Sequence, residues 1–223
     1  LFAYFCAVGV FLCGAKLIYN LILEIFGIYI IGAIPTAFLV YKIKSGGDLR
    51  KLGGGNIGAM NAYESSGSIL LGFLVFLIDF LKGLLCAFLS INVFTFQYPE
   101  FVIPFVIIGH NYSVFLKFKG GRGLASALGV SALINPIPAI LWCLGWVIAK
   151  KAAKDIHIAN NFASNVSLIA FPLLPYHIIE RMNIISQWHK AQLVVCFSII
   201  SILLILAHIK PVIKILEQRR LAK

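Results

Sequence analysis

Charge is scarce in this chain: 12% of its 223 residues are Asp, Glu, Lys or Arg, where a soluble domain carries roughly a quarter. So few charges cannot clothe a water-facing surface, and much of that surface faces lipid. The five cysteines, Cys6, Cys13, Cys86, Cys143 and Cys196, all lie in apolar stretches. None has the paired spacing of a metal site or a disulfide framework, so they read as small hydrophobes in packed helices. His110, His157, His177, His189 and His208 are scattered rather than set at metal-ligand spacing. Also missing are a GxSxG nucleophile turn, an HxxxxD pair and a Walker A loop. No cofactor, no metal and no nucleic-acid partner is expected.

What is present is long apolar sequence. Mean hydropathy is +0.96 and 61% of residues are hydrophobic, gathered into blocks at 21–41, 69–92, 101–116, 124–149, 158–179 and 193–209. A spanning helix needs about 20 such residues. The runs are continuous rather than alternating, which points to helices and not a barrel. Residues 1–18 add a short apolar stretch, read as an extra helix.

Most of the 19 basic residues fall in four clusters: Lys42, Lys44, Arg50 and Lys51; Lys117, Lys119 and Arg122; Lys150, Lys151 and Lys154; and Lys210 to Lys223. Short basic loops stay cytoplasmic. Keeping all four on that side needs a pair of crossings between successive clusters, with the Asn135-Pro136 break turning the middle pair. The expected fold is therefore all-α, a polytopic membrane bundle of about seven transmembrane helices, or an eighth with the N-terminal segment. It forms one integral-membrane unit over 1–223, with 1–20 as the extra helix and 210–223 as a basic cytoplasmic tail.

Two basic loops are also rich in glycine. The first runs from Gly46 through Gly53-Gly54-Gly55-Asn56-Ile57-Gly58 to Asn61. Each glycine costs a helix about 1 kcal/mol, but glycine lets main-chain N–H groups approach a ligand closely. Asn56 and Asn61 add neutral amides. The second runs from Gly109-His110 to Lys119-Gly120-Gly121-Arg122-Gly123, directly before an apolar helix. A glycine turn feeding a helix start favours an anion. Together the loops suit one or more phosphates at the membrane surface, although glycine also serves tight helix packing. Asp79 and Lys82 lie inside an apolar run at a spacing that lets them pair. A structural pair and a role near the site are equally open. His110 and His208 each border a basic segment.

At these loops the sequence resembles the PlsY-type glycerol-3-phosphate acyltransferases, bacterial inner-membrane enzymes. That family's first loop usually reads GSGNxGATN, matched by Gly53 to Asn61. Its second reads GHxxPVFxxFKGGKGVAT, close to Gly109 through Ser126. A DxLKG-like stretch is matched by Asp79-Phe80-Leu81-Lys82-Gly83, and HRxNIxRL is echoed faintly from His208 to Leu216. The resemblance implies a multi-pass enzyme of the cell membrane, with its glycine-rich loops and C-terminus cytoplasmic. It would move a fatty acyl group from acyl-phosphate to the 1-hydroxyl of glycerol 3-phosphate, giving lysophosphatidic acid for phospholipid synthesis among membrane lipids. It implies catalytic roles for Asn56, His110, Lys119 and Arg122. Phosphate binding would fall to Gly54, Gly55, Asn56, Gly58, Asn61, Lys119, Gly120, Gly121, Arg122 and His208. Several departures from the pattern bear on these roles. Gly54 replaces a serine, Met60 a threonine, Arg122 a lysine and Val212 an asparagine, and Glu64 stands where an arginine is expected. These departures keep open a weak or inactive homologue that binds lipid or joins a membrane complex. A transporter built on broken helices is a third reading, without a visible inverted repeat.

Overall fold

The computed structural model describes residues 2–94, 97–185 and 188–221, with backbone alone for residues 2–13 and 15. Every regular element among them is helical. The long ones are α1 (Phe2–Ala33), α2 (Thr36–Ser45), α3 (Ala59–Ser66) and α4 (Ile69–Asn92). After the short α5 (Pro99–Val102) come α6 (Phe105–Asn111), α7 (Leu124–Ile134), α8 (Ile137–Ala153) and α9 (Ile156–Leu173). A short α10 (Tyr176–Arg181) precedes α11 (Lys190–Leu221).

Among the described residues, four stretches are long and apolar enough to cross a membrane: Lys16–Ser45, Ile69–Asn92, Pro99–Leu116 and Lys190–Leu221. α7, at 11 residues, is too short to span alone, and α8 packs on α9, which packs on α11. The N-terminal segment is not a separate helix. Residues 2–33 form one continuous α1, because nothing in the sequence breaks it before Ile34-Pro35. Likewise the basic tail is helical to Leu221, an extension of α11 rather than a loose end.

α4 illustrates how the bundle is built. Leu71, Val75, Asp79, Lys82, Cys86 and Ser90 recur at helical spacing and are buried, while Ile69, Leu70, Phe73 and Leu81 stand exposed as a lipid-facing surface. Glycine lets backbones touch. A Cβ at Gly83 would overlap the Ser126 carbonyl, and one at Gly129 the Phe80 carbonyl, so α4 and α7 lie against each other. α1 and α6 meet the same way at Gly32 and Gly109. The main core runs through Ile28, Ile103, Ile107, Val130, Ile134, Phe171 and Leu193. A smaller one, Ala37, Leu49, Ile57, Ala62, Leu71 and Leu116, anchors the first glycine loop.

Candidate active site

The first loop is held by Asn61. Its side chain is buried; Nδ2 donates to the carbonyls of Asn56 (2.7 Å) and Leu52 (3.2 Å), while Oδ1 accepts from the Gly54 N–H (3.3 Å). Gly53, at φ +52°, leaves no room for a side chain beside Oδ1. Asn61 thus buckles the loop, and its donors are not free for a ligand. Arg50 is similarly committed. It forks onto Asp48 at 2.9 and 2.7 Å, holding that carboxyl down at about 2, and lies 5.1 Å from the Phe38 ring. Beyond the buckle, Asn56 is half-buried and Gly58 opens α3.

The second loop folds back on the end of α6. Gly120 N–H donates to the Asn111 carbonyl (3.0 Å) and Gly121 N–H to the His110 carbonyl (2.9 Å). A Cβ at Gly121 would strike the His110 ring and crowd the Ile57 carbonyl, so this turn also welds the two loops together. These N–H groups were expected to hold phosphate; the turn already engages them, and the glycines serve close packing. Lys117 and Lys119 are exposed. Arg122 turns inward, and its Nη1 lies 2.9 Å from His157 Nδ1, a bond that needs an unprotonated Nδ1. Burial draws Arg122 down from its ordinary value and the Asp155 carboxylate opposes this.

Both loops border a cavity of about 420 Å³. Of the residues expected at a site, Gly54, Asn56, Gly58, Asn61, His110 and Arg122 line it; Gly55, Lys119, Gly120, Gly121 and His208 do not. His208 is fully buried behind it. Nδ1–H donates to the Leu204 carbonyl (2.8 Å), so Nε2 accepts from Asn160 Nδ2 (3.2 Å). His208 therefore orients Asn160, which does line the cavity together with His157. In the sequence Asn160 is hidden inside an apolar block, and His157 stands only as one of five scattered histidines. Their signal was helical spacing: His157, Asn160, Ser164 and Ser167 form one polar stripe of α9. Asp79 also lines the cavity, in a buried ion pair with Lys82 at 2.7 Å. Lys82 donates further to the Ile34 carbonyl (2.8 Å), satisfying the break between α1 and α2. His110 Nδ1 stands 3.8 Å from Asp79, too far for a hydrogen bond.

Three helices start at the cavity mouth. α9 carries its own anion, since the Asp155 carboxylate accepts from the N–H groups of His157 and Ile158. α3 and α7 begin at Gly58 and Gly123 with no side-chain cap, and their first residues line the cavity beside Arg122. Two bare helix starts and a guanidinium together favour an anion at this mouth. Deeper in, Leu128, Phe197, Ile200 and Leu204 make the walls apolar.

The family model described as glycerol-3-phosphate acyltransferase matches residues 22–218. This chain belongs to that family. Glycerol-3-phosphate acyltransferase of Ehrlichia canis is 32% identical over 190 residues, 85% of this chain and 91% of the relative. Glycerol-3-phosphate acyltransferase 5 of Dehalococcoides mccartyi is 42% identical over 135 residues, 58% of this chain. That match spans only 57% of the relative's own length. The crystal structure of PlsY (YgiH), an integral membrane glycerol 3-phosphate acyltransferase, in its glycerol 3-phosphate form has a TM-score of 0.69 and 26% identity, over 89% of this chain and 93% of that one. Its lysophosphatidic acid form has a TM-score of 0.67. Within this acyltransferase-family chain the departures Gly54, Met60, Glu64 and Arg122 line the cavity. Counted strictly from His208, the asparagine of the family's third motif falls on Pro211 rather than Val212, and both are half-buried in α11.

Proposed function

We propose that this protein transfers a fatty acyl group from acyl-phosphate to the 1-hydroxyl of glycerol 3-phosphate, giving lysophosphatidic acid. The observation that carries the reading is the union, in one cavity, of an anion-binding mouth and apolar walls. The bare starts of α3 and α7 with Arg122 suit phosphate, and the space among α7, α8, α9 and α11 suits an acyl chain. The relatives' names and the glycerol 3-phosphate and lysophosphatidic acid forms of the related structure support the same acceptor and product.

In this scheme Asn56 and Arg122 hold the phosphates and fix the hydroxyl against the acyl carbon. The hydroxyl oxygen attacks that carbon, the carbon–oxygen bond to phosphate breaks, and inorganic phosphate leaves. The proton passes from the hydroxyl to a phosphate oxygen, so no covalent acyl-enzyme is needed. Arg122 and the helix starts stabilise the charge on the leaving group. His157 and His208 hold Arg122 and Asn160 in place.

The test is release of inorganic phosphate by the purified protein given acyl-phosphate and glycerol 3-phosphate. Silence under conditions where the Ehrlichia relative turns over would sink the reading. Glu64 favours a second possibility, because an unpaired carboxylate on the cavity wall repels a dianion. A lipid-binding homologue of low activity would look like this. Glu64→Arg should lower the KM for glycerol 3-phosphate several-fold; an unchanged KM would remove Glu64 from the phosphate site.

A further inference from the structure

At the end away from its mouth, the lining of the cavity stops against aromatic rings. Along α9 its lining ends at Ser167, and the next residue on that face, Phe171, is fully buried. Along α11 it ends at Phe197, whose ring meets Phe171 edge-on with centroids 5.6 Å apart. On α7 the last lining residue is Ser131, and Ile134 behind it is fully buried; on α8 the first is Pro138, with buried Ile137 before it. Beneath them the turn between α7 and α8 is locked by Asn135. Its Nδ2 donates to the Ile179 carbonyl (2.9 Å), and its Oδ1 accepts from Ile137 N–H (3.0 Å). The Ser131 hydroxyl donates to its carbonyl (2.7 Å).

The side walls near this end are tight. A Cβ added to Gly145 of α8 would sit 3.1 Å from Ala163 Cα and from Val166 Cβ, so no chain passes between α8 and α9 there. Nearer the mouth, α9 is tied to α11 by Asn160 with His208 and by Asn161 Nδ2 with the Ile205 carbonyl (3.3 Å). From Ile156 to Ser167 the lined stretch of α9 rises about 16 Å at 1.5 Å per residue, room for roughly a dozen extended methylenes at ~1.3 Å each.

We propose that the Phe171–Phe197 pair is a stop that sets the length of acyl chain this protein accepts. It rests on the reading that the cavity holds the acyl chain. Up to the stop, each methylene leaves water for an apolar wall, so affinity rises about four-fold per carbon. Beyond it the chain must buckle or displace packed rings, and the gain ends.

The experiment measures binding of 1-acylglycerol 3-phosphates of graded chain length by calorimetry. The purified full-length protein is compared with Phe171→Ala, Phe197→Leu and Ser167→Phe, and phosphate release from the matching acyl-phosphates is followed in parallel. Wild type should gain affinity with length and then break sharply. Phe171→Ala and Phe197→Leu should move the break two or three carbons longer, and Ser167→Phe should move it shorter. If Phe171→Ala does not fold, the other two variants decide. A break at the same length in every protein, or no break in wild type, would mean that the chain leaves sideways into lipid, and would overturn the stop. A shifting break without turnover would leave the stop standing and overturn the transferase reading. Turnover with no break would do the reverse, and failure to bind at any length would overturn both.

Discussion

Two cations of the second loop look equivalent in the sequence and are not equivalent in space. Arg122 reaches the cavity and is steadied by His157, whereas Lys119 stands exposed outside it. A charge-assisted hydrogen bond in a partly buried site contributes about 1.5–3 kcal/mol. Arg122→Gln should therefore raise the KM for glycerol 3-phosphate roughly ten- to a hundred-fold. Lys119 acts by attraction at the mouth, so Lys119→Ala should cost only about two- to three-fold, and that loss should vanish in high salt. Steady-state kinetics at two ionic strengths separates them; a salt-resistant loss in Lys119→Ala would place that side chain on the substrate. Composition marked the loop as an anion site but could not say which way each side chain turns. The same limit applied to Asn61 and Gly121. Their polar groups were legible, yet the loop's own hydrogen bonds engage them, and only three-dimensional closure reveals that. Asn160 escaped for the opposite reason, since a block average hides a single polar stripe.

At the scale of helices, apolar runs and breakers located most elements well. The Asn135-Pro136 break was expected to divide a block into two short helices, and α7 and α8 lie on either side of it. The N-terminus was misread because a lone Lys16 in an apolar run does not end a helix, and α1 runs through it. Glycines inside helices were ambiguous from sequence, and their partners decide what they do. Gly109 brings α6 against the α1 backbone, where a Cβ would overlap the Tyr29 carbonyl and sit 2.8 Å from Ala33 N. Gly14 has nothing within 4 Å. Gly109→Val should force α1 and α6 apart and sharply lower the thermal midpoint and folded yield, a backbone clash costing more than ordinary overpacking at about 1–3 kcal/mol. Gly14→Val should change neither, apart from a small gain or loss in helix propensity. Size-exclusion profiles after graded heating would compare them. Equal midpoints for Gly109→Val and wild type would show that the α1–α6 contact adds little to stability.

For the whole molecule, the distribution of charge and the packing of helices agree on one end of the bundle. Lys44 donates to Ser68 at the start of α4, and Gly121 of the second loop backs onto Ile57 of the first. Arg122 then joins the second loop to His157, and Arg219 donates to the Ala153 carbonyl at the turn between α8 and α9. Segments that carry or adjoin the four basic clusters are thereby tied to neighbouring elements by contacts at that end of the bundle. Short basic loops are ordinarily retained in the cytoplasm, so the mouth is expected to face the compartment that holds water-soluble phosphorylated acceptors. The expectation is checked by single cysteines in a background freed of the native five. Lys151→Cys, at the basic end, should react with a membrane-impermeant maleimide in inside-out vesicles and not in right-side-out ones. Tyr176→Cys, exposed beyond α9, should do the opposite. The reverse pattern would put the anion site outside the cell, where charge alone could not have placed it. Equal labelling from both sides would mean that the chain inserts in two orientations, and the basic clusters would then have to act on phosphates or anionic lipids rather than on topology.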